Sequence, residues 1–140
     1  MTIMDTLGET ASRSSFISKG WGYELIFVNN EYCGKLLHIV AGRKCSVHYH
    51  KLKHETFYLH KGAMTIFYHD DAKSVESFVK HKPDKLQIYD LMEKVNLHQG
   101  QVFTVPVGRV HQMIAIEDCE LFEFSTHDDP EDSYRIIKGD

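Results

Sequence analysis

The sequence predicts an all-β protein with little helix, and two observations support that fold class. From Tyr23 onward, short segments rich in β-branched and aromatic residues recur, separated by clusters of Gly, Asn, Asp and Lys. No segment shows the long apolar repeat with a period of 3.6 residues that an amphipathic helix would have. Short strands at this spacing indicate a β-sandwich or a β-barrel.

Ten segments are predicted to be strands. In chain order they are YELIFV, KLLHIVA, KCSVHYH, ETFYLH, AMTIFYH, VESFV, LQIYDLM, QVFTVP, VHQMIAI and ELFEFST. Residues 1–18 are polar and rich in Ser and Thr, which predicts a flexible arm or an edge strand added to a neighbour. Residues 19–140 then form one domain. The stretch 70–99, with turns at HDDAKS and KHKPDK, is predicted to be a β-excursion at the far end of the barrel.

The composition excludes several classes of protein. The chain is 42% hydrophobic and 26% charged, which is typical of a folded domain. Its net charge of -4 and the absence of a basic run argue against a nucleic-acid partner. The N-terminus has no cationic start followed by an apolar core, and no apolar run is long enough to cross a bilayer, so we expect a cytoplasmic protein without a membrane partner.

The cysteines are expected to be reduced and mostly buried. Cys33, Cys45 and Cys119 are odd in number and widely spaced, with no C-x-x-C pair. This usage argues against both a disulfide scaffold and a thiolate zinc site.

A candidate metal site begins in the segment SVHYH. Side chains alternate along a strand, so His48 and His50 point to the same face. Glu55 opens the next strand and offers a carboxylate, and His111 follows a Pro/Gly turn that can present it from the opposite wall. Three neutral imidazoles and one carboxylate suit one divalent Mn, Fe, Co, Ni or Zn ion, and four protein ligands leave positions open for water or substrate.

These residues resemble the two motifs of the cupin superfamily. The first, G-x5-H-x-H-x4-E-x6-G, runs from Gly42 to Gly62, and the second, G-x5-P-x-G-x2-H, runs from Gly100 to His111. The resemblance implies a cupin jelly-roll barrel, also called a double-stranded β-helix, with the metal held inside by His48, His50, Glu55 and His111. The motif glycines fit tight turns in which φ is positive.

A looser resemblance narrows the family. KGWGYEL is similar to the K/R-P-W-G-x-Y-E segment of type II phosphomannose isomerase cupin domains, and LFEFSTHDDPEDSYRI resembles their closing strand and acidic tail. Gly20 stands where those domains commonly have proline, and His48 stands where they commonly have glutamine. The full His/His/Glu/His set is instead similar to that of cupin-type glucose-6-phosphate isomerases and of several oxygenases.

The resemblance implies a metal-dependent isomerase or epimerase of a sugar or sugar phosphate. The metal would stabilise an enediolate while a base moves a proton between neighbouring carbons. Glu55 is a candidate for this base as well as a ligand, and Glu123 is a second candidate. Tyr58 has the opposite strand parity to Glu55 and is expected to point away.

Three residues are candidates for substrate binding because of where they lie relative to the metal ligands in the sequence. Arg109, in the turn before His111, and Lys51, in the turn after His50, are cations suited to a phosphate at the barrel mouth. Met113 shares the parity of His111 and is expected to form a wall of the pocket.

Two other functions stay open at this point. The same ligands suit a dioxygenase of a small organic substrate, and a non-catalytic cupin that binds a metabolite is also compatible with the sequence. A homodimer is expected, since cupin barrels often pair through exposed sheet edges.

The other histidines are not expected to bind the metal. His60, His69, His81, His98 and His127 lie at strand ends or in turns and should be solvated. His38 should be a hydrogen-bonded core residue, while His54 is equally compatible with the surroundings of the site and with the surface.

Overall fold

The computed structural model describes residues 2–4, 10–81 and 87–140. The strands are β1 (Thr2–Met4), β2 (Thr10–Ser12), β3 (Ser15–Lys19), β4 (Gly22–Asn29), β5 (Tyr32–Ile39), β6 (Val47–Tyr49), β7 (Glu55–Lys61), β8 (Ala63–His69), β9 (Glu93–His98), β10 (Val102–Val105), β11 (Val110–Ala115), β12 (Cys119–Thr126) and β13 (Tyr134–Ile137). The helices are α1 (Ala72–His81) and α2 (Ile88–Leu91), with a 3₁₀ turn over Pro130–Asp132.

Two antiparallel sheets enclose the core. The larger sheet has six strands in the order β10-β7-β12-β5-β4-β3, and the smaller has five in the order β13-β6-β11-β8-β9. Leu37, Phe57 and Leu121 of the larger sheet belong to the same buried cluster as Ile66 and Met113 of the smaller one. The predicted all-β fold is confirmed, since strict inside-outside alternation along strands such as β5 and β7 forms this shared interior.

Two motif glycines adopt a backbone that other residues rarely tolerate. Gly62, between β7 and β8, has φ of 95°, and a side chain there would collide with the Asp118 carbonyl. Gly108 has φ of 88°, and its amide donates to the His50 carbonyl at 2.8 Å. The Gly108 turn thus joins the start of β11 to the end of the β6 segment.

The predicted β-excursion over 70–99 is wrong in its first part. Its segment VESFV lies in α1, and most of LQIYDLM lies in α2 or ends it, so among the described residues of this stretch only β9 is a strand. Asp71 begins α1 by accepting hydrogen bonds from the Ser74 amide and hydroxyl at 3.2 and 2.8 Å, as a helix N-cap does. Most of the predicted turn at KHKPDK lies outside the described residues.

The helices cover the outer face of the smaller sheet. Val75 of α1 and Ile88 of α2 are fully buried against Val47, Tyr49 and Val110, which form a second apolar cluster. These β6 and β11 residues alternate with His48 and His111, so the two strands have an apolar outer face and a histidine-bearing inner face.

The first described residues are not an unstructured arm. β1 pairs with β2, and β3 pairs with β4 of the same chain, with Phe16 opposite Leu25. Residues 15–18, which the sequence assigned to the arm, therefore extend the six-stranded sheet. Among the described helices, none has the length and apolar character needed to span a bilayer.

Candidate metal centre

Three histidines converge inside the barrel. His48 lies on β6, His50 follows that strand directly, and His111 on β11 is the cross-strand partner of His48. The ring centroids of His48 and His111 are 4.3 Å apart, and one ring nitrogen from each of the three side chains lies within 4.8 Å of the others. This cluster has the geometry to hold one ion, as the alternation of SVHYH predicts.

Backbone carbonyls fix the tautomer of all three rings. The Nδ1 atoms of His48, His50 and His111 each lie 3.0 Å from a carbonyl oxygen, of Ser46, Asp132 and Arg109 respectively. A carbonyl only accepts hydrogen bonds, so in the neutral form of each ring Nδ1 carries the proton and Nε2 keeps a lone pair. Burial, together with the neighbouring imidazoles, lowers the pKa of His48 well below its usual value, which keeps that ring neutral.

Glu55 faces two of these imidazoles, those of His50 and His111, from the other sheet. It is 2% exposed and opens β7, with Oε2 3.2 Å from His50 Nε2 and 3.4 Å from His111 Nε2. These three atoms are buried and have no hydrogen-bond partner within the described part of the chain. Buried polar atoms without partners are costly, so a cluster of them facing one another fits a cation better than an empty core.

A chain of ion pairs extends from Glu55 across the larger sheet. Lys53 Nζ lies 3.4 Å from Glu55 Oε1 and donates to Glu123 Oε2 at 3.2 Å and to Asp128 Oδ1 at 2.9 Å. Lys35 donates to the other Asp128 oxygen at 2.6 Å.

This network carries an excess of negative charge. With Glu24, which lies 3.7 Å from Lys35, it contains four carboxylates and only two ammonium groups. If all four carboxyl groups are ionised, the two surplus negative charges are unfavourable inside a protein, and a divalent cation would neutralise them. The donor set and the charge balance therefore both fit a divalent ion.

The pKa values of the two buried glutamates diverge. His111, His50 and Lys53 lower the pKa of Glu55 well below its usual range, although burial opposes them. Burial and the negative charge of Glu55 raise the pKa of Glu123 to about 7, against the opposing effect of Lys53. One carboxylate is thus held as an anion, while its neighbour is poised to exchange a proton.

The structure settles which way Glu123 faces. Its side chain is 4% exposed, shares the inward face of β12 with Leu121, and accepts a hydrogen bond from Ser125 at 3.0 Å. The sequence left this orientation open because Glu123 is flanked by aromatic residues on both sides.

A cavity of about 370 Å³ connects these groups. Both sheets line it, and its walls include the three histidines, Glu55, Glu123, Lys53, Lys35, Asp128, Met113 and Trp21. The volume lies in the range of small-molecule sites, and the lining combines polar and apolar side chains. Met113 is buried and lines this cavity, as its strand parity predicts.

Neither Arg109 nor Lys51 lines the cavity, which corrects two of the substrate-binding predictions. Arg109 donates from Nε to Asp70 Oδ1 at 2.7 Å, so its guanidinium is paired with a carboxylate that also does not line the cavity. Lys51 is exposed, with Nζ 4.3 Å from the centroid of the Tyr134 ring. A turn position adjacent to a ligand does not determine where a long side chain points.

Sequence reasoning missed three charged residues of the site. They are Lys35, Lys53 and Asp128. The parity of Lys35 was a usable signal. It lies two residues from Cys33 and from Leu37, so it shares the inward face of β5 with them. The partner of Lys35 comes from a distant loop, which no local pattern indicates.

The remaining histidines behave mostly as predicted. His54, His60, His81, His98 and His127 are exposed, and His69 is half-buried. His38 departs from the prediction, since it stacks on Tyr23 at 4.8 Å and its buried Nδ1 has no hydrogen-bond partner among the described residues. Tyr58 points away from the metal centre, as expected, between the inward-facing Phe57 and Leu59.

Comparison with known proteins identifies the family. A family model described as Cupin matches residues 38–137, which is more than half of the chain. The chain belongs to the cupin family. The two sheets of this cupin are therefore the jelly-roll barrel that the motifs predict, and its histidine cluster occupies the inside of that barrel.

Solved structures resemble this cupin at low sequence identity. The capsular polysaccharide assembling protein CapF from Staphylococcus aureus is 15% identical with a TM-score of 0.67, and the match covers 91% of this chain and 35% of CapF. KdgF from Halomonas sp. is 15% identical with a TM-score of 0.61, covering 84% of this chain and 89% of KdgF. L-ribose isomerase from Cellulomonas parahominis is 16% identical with a TM-score of 0.63, and the match covers 81% of this chain and 69% of the isomerase.

These similarities establish the fold and not the activity. This cupin spans about a third of the length of CapF. No curated protein matches the chain.

Proposed function

We propose that this cupin holds one divalent metal ion on His48, His50, Glu55 and His111 and interconverts an aldose and a ketose, or two epimers, of a sugar or sugar phosphate. Mn, Fe, Co, Ni and Zn all suit these donors. When bound, the ion would supply Lewis-acid polarisation of the substrate carbonyl and its neighbouring hydroxyl. The structural similarity to L-ribose isomerase is consistent with this reaction class.

The observation that carries the proposal is a second carboxylate beside the donor set. Glu123 is buried in the same cavity as the three imidazoles, and Lys53 joins it to Glu55 at distances of 3.2 and 3.4 Å. An isomerase needs a group that takes a proton from one carbon and returns it to the next. Glu123 is suited to that work because it is not needed as a ligand, while Glu55 donates to the metal.

The rest of the cavity would orient the substrate. Trp21 and Met113 offer apolar surface near the donor atoms. The ammonium groups of Lys35 and Lys53 are already paired with carboxylates, so a phosphate is not expected at the buried end. Lys19 and Arg135 are exposed residues of the cavity wall and would meet an anionic end at its mouth.

The homodimer stays a prediction. Phe16, Phe27 and Phe124 expose 63, 47 and 58% of their surface on strands of the larger sheet, which is consistent with a covered face.

Deuterium exchange tests the reaction. The manganese-loaded protein is incubated without oxygen in D2O with aldoses, ketoses and their phosphates, and the products are examined by proton NMR after the metal has been removed. We expect deuterium at C2 together with conversion between partner sugars. Glu123→Gln should slow this exchange roughly 100-fold or more, because acid–base groups contribute about that much.

The matched control is Glu120→Gln, the same change on the outward face of the same strand. This variant should keep the wild-type rate. Equal rates for Glu123→Gln and wild type would remove Glu123 from the mechanism. Absence of exchange with every sugar would refute the isomerase, and oxygen uptake by the iron-loaded protein would then favour the dioxygenase.

A further inference from the structure

One buried carboxylate connects the closing segment of the chain to the loop between two metal ligands. Asp132 is 4% exposed and ends the 3₁₀ turn that follows β12. It lies far along the chain from residues 51–53, yet its side chain accepts hydrogen bonds from all three of their backbone amides.

The hydrogen bonds share the two carboxylate oxygens between them. Oδ1 accepts from Lys51 N at 2.9 Å and Leu52 N at 3.1 Å, while Oδ2 accepts from Leu52 N at 3.1 Å and Lys53 N at 2.9 Å. Three successive amides that point at one anion form a concave nest, which fixes the backbone of the loop. Only a carboxylate offers two acceptors with this spacing.

The main chain of the same residue acts on the metal centre directly. The Asp132 carbonyl accepts the Nδ1 proton of His50 at 3.0 Å, so it sets the tautomer that leaves Nε2 free. The loop held by the carboxylate starts directly after His50 and ends two residues before Glu55. Its last residue, Lys53, reaches Oε1 of Glu55 and leaves Oε2 facing the imidazoles.

The strand that follows makes a further connection. β13 begins two residues after Asp132 and pairs with β6, with Arg135 opposite His48. The segment from Asp132 to Arg135 therefore contacts the strand that carries His48, the His50 ring and the loop that leads to Glu55.

We propose that Asp132 is a positioning residue for the metal centre, holding the loop 51–53 and the His50 ring so that His50 and Glu55 present their donor atoms together. This inference rests on the metal-binding part of the proposed function and not on the reaction. It makes the closing segment of the chain a part of the site, although Asp132 itself touches neither the ion nor the substrate.

Cobalt affinity tests the proposal. Asp132→Asn keeps the size of the side chain but replaces one acceptor with a donor, so the loop loses at least one amide partner. We expect the dissociation constant for Co²⁺, measured by competition with a chelator, to rise about 10- to 100-fold, as is found when partners of metal ligands are removed. Glu131→Gln removes the same charge from the exposed neighbouring residue and should leave the affinity unchanged.

Two further measurements separate positioning from a purely structural role. The Nδ1-protonated form of His50 should dominate the ¹⁵N spectrum of the metal-free wild type, and its share should fall in Asp132→Asn. Thermal stability is followed in the same metal-free samples. A loss of stability with unchanged cobalt affinity and an unchanged His50 tautomer would overturn the proposal.

Hydrogen exchange keeps the proposal testable if the variant fails to fold. The amides of residues 51–53 lie outside any strand, and Lys51 and Leu52 are exposed, so they should exchange rapidly unless the carboxylate protects them. Slow exchange of all three amides in the wild type supports the proposal, and exchange at unprotected rates refutes it. If no sugar is turned over but the affinity difference persists, the isomerase fails and the role of Asp132 stands.

Discussion

Asp128 connects the two buried lysines of the cavity wall. Its oxygens lie 2.9 Å from Lys53 Nζ and 2.6 Å from Lys35 Nζ. Burial raises the pKa of this carboxyl, but the two ammonium groups outweigh burial and lower the pKa to about 2. The ion pairs thus favour the charged form of Asp128 in the folded state.

This pKa shift predicts how stability depends on pH. The pKa of Asp128 is lower in the folded chain than in the unfolded chain, so its contribution to stability is complete above the usual value of 3.8 and is lost as the pH falls through about 2. Asp128→Asn should therefore cost about 1 kcal/mol of unfolding free energy near pH 7, because solvent screening weakens the ion pairs of this partly exposed carboxylate, and the cost should shrink below pH 4. Urea unfolding of both proteins between pH 7 and pH 2.5 measures the difference.

The control for this measurement is Asp129→Asn. Asp129 is exposed and accepts a hydrogen bond from the Glu131 amide, which an asparagine can also accept. Its substitution should have little effect at any pH. A cost for Asp128→Asn that stays constant down to pH 2.5 would contradict the assigned pKa.

At the scale of single residues, the sequence predicts which face a side chain occupies wherever the residue lies in a regular strand. His48 and His50 share a face because they are two positions apart, and Met113 shares the face of His111 for the same reason. The placement of Arg109 could not be predicted, because its partner Asp70 lies in another turn. The role of Asp132 could not be predicted for the same reason, since its carboxylate binds a loop from a distant part of the chain.

At the scale of elements, α1 and α2 are helices whose segments the sequence analysis predicted to be strands. Ala72, Val75, Phe78 and Val79 follow the spacing of an amphipathic helix, but the helix has only ten residues and β-branched residues favour strand. Packing against β6 and β11 favours the helix over a strand, because the apolar face of the helix covers the outer side chains of these two strands. Strands such as β5 and β7 were predictable because alternation continues through most of their length.

Substitution in α1 measures that packing. Val75 is fully buried, so Val75→Ala should lower the unfolding free energy by about 2 kcal/mol through lost burial and the cavity that remains. Lys73→Ala, on the exposed face of the same helix, should change it by less than about 0.5 kcal/mol. Urea unfolding compares the two variants, and equal effects would show that α1 does not support the sheet.

At the scale of the whole molecule, the proposed donor atoms come from both sheets. The three imidazoles belong to the β6 and β11 side of the barrel, whereas Glu55 opens β7 of the larger sheet. The unpartnered donor atoms between the sheets explain why the folded state should bind an ion far better than the unfolded chain.

Metal binding should therefore stabilise the whole barrel. At a Co²⁺ concentration of about 100 Kd, we expect a gain of about 2.7 kcal/mol in unfolding free energy, seen as a higher Tm with cobalt than with a chelator. His111→Ala should lose this gain. His98→Ala, which changes an exposed histidine at the end of β9, should keep it. Equal stabilisation of the His111 and His98 variants would contradict the proposed site.

The division of donors between two sheets has a mechanical consequence. An ion bound to His48 and His111 on one side and to Glu55 on the other would act as a reversible cross-link between the halves of the barrel. Unlike a disulfide, such a cross-link opens by chelation rather than by reduction. The resistance of the folded chain to proteases would then follow the supply of metal in its surroundings.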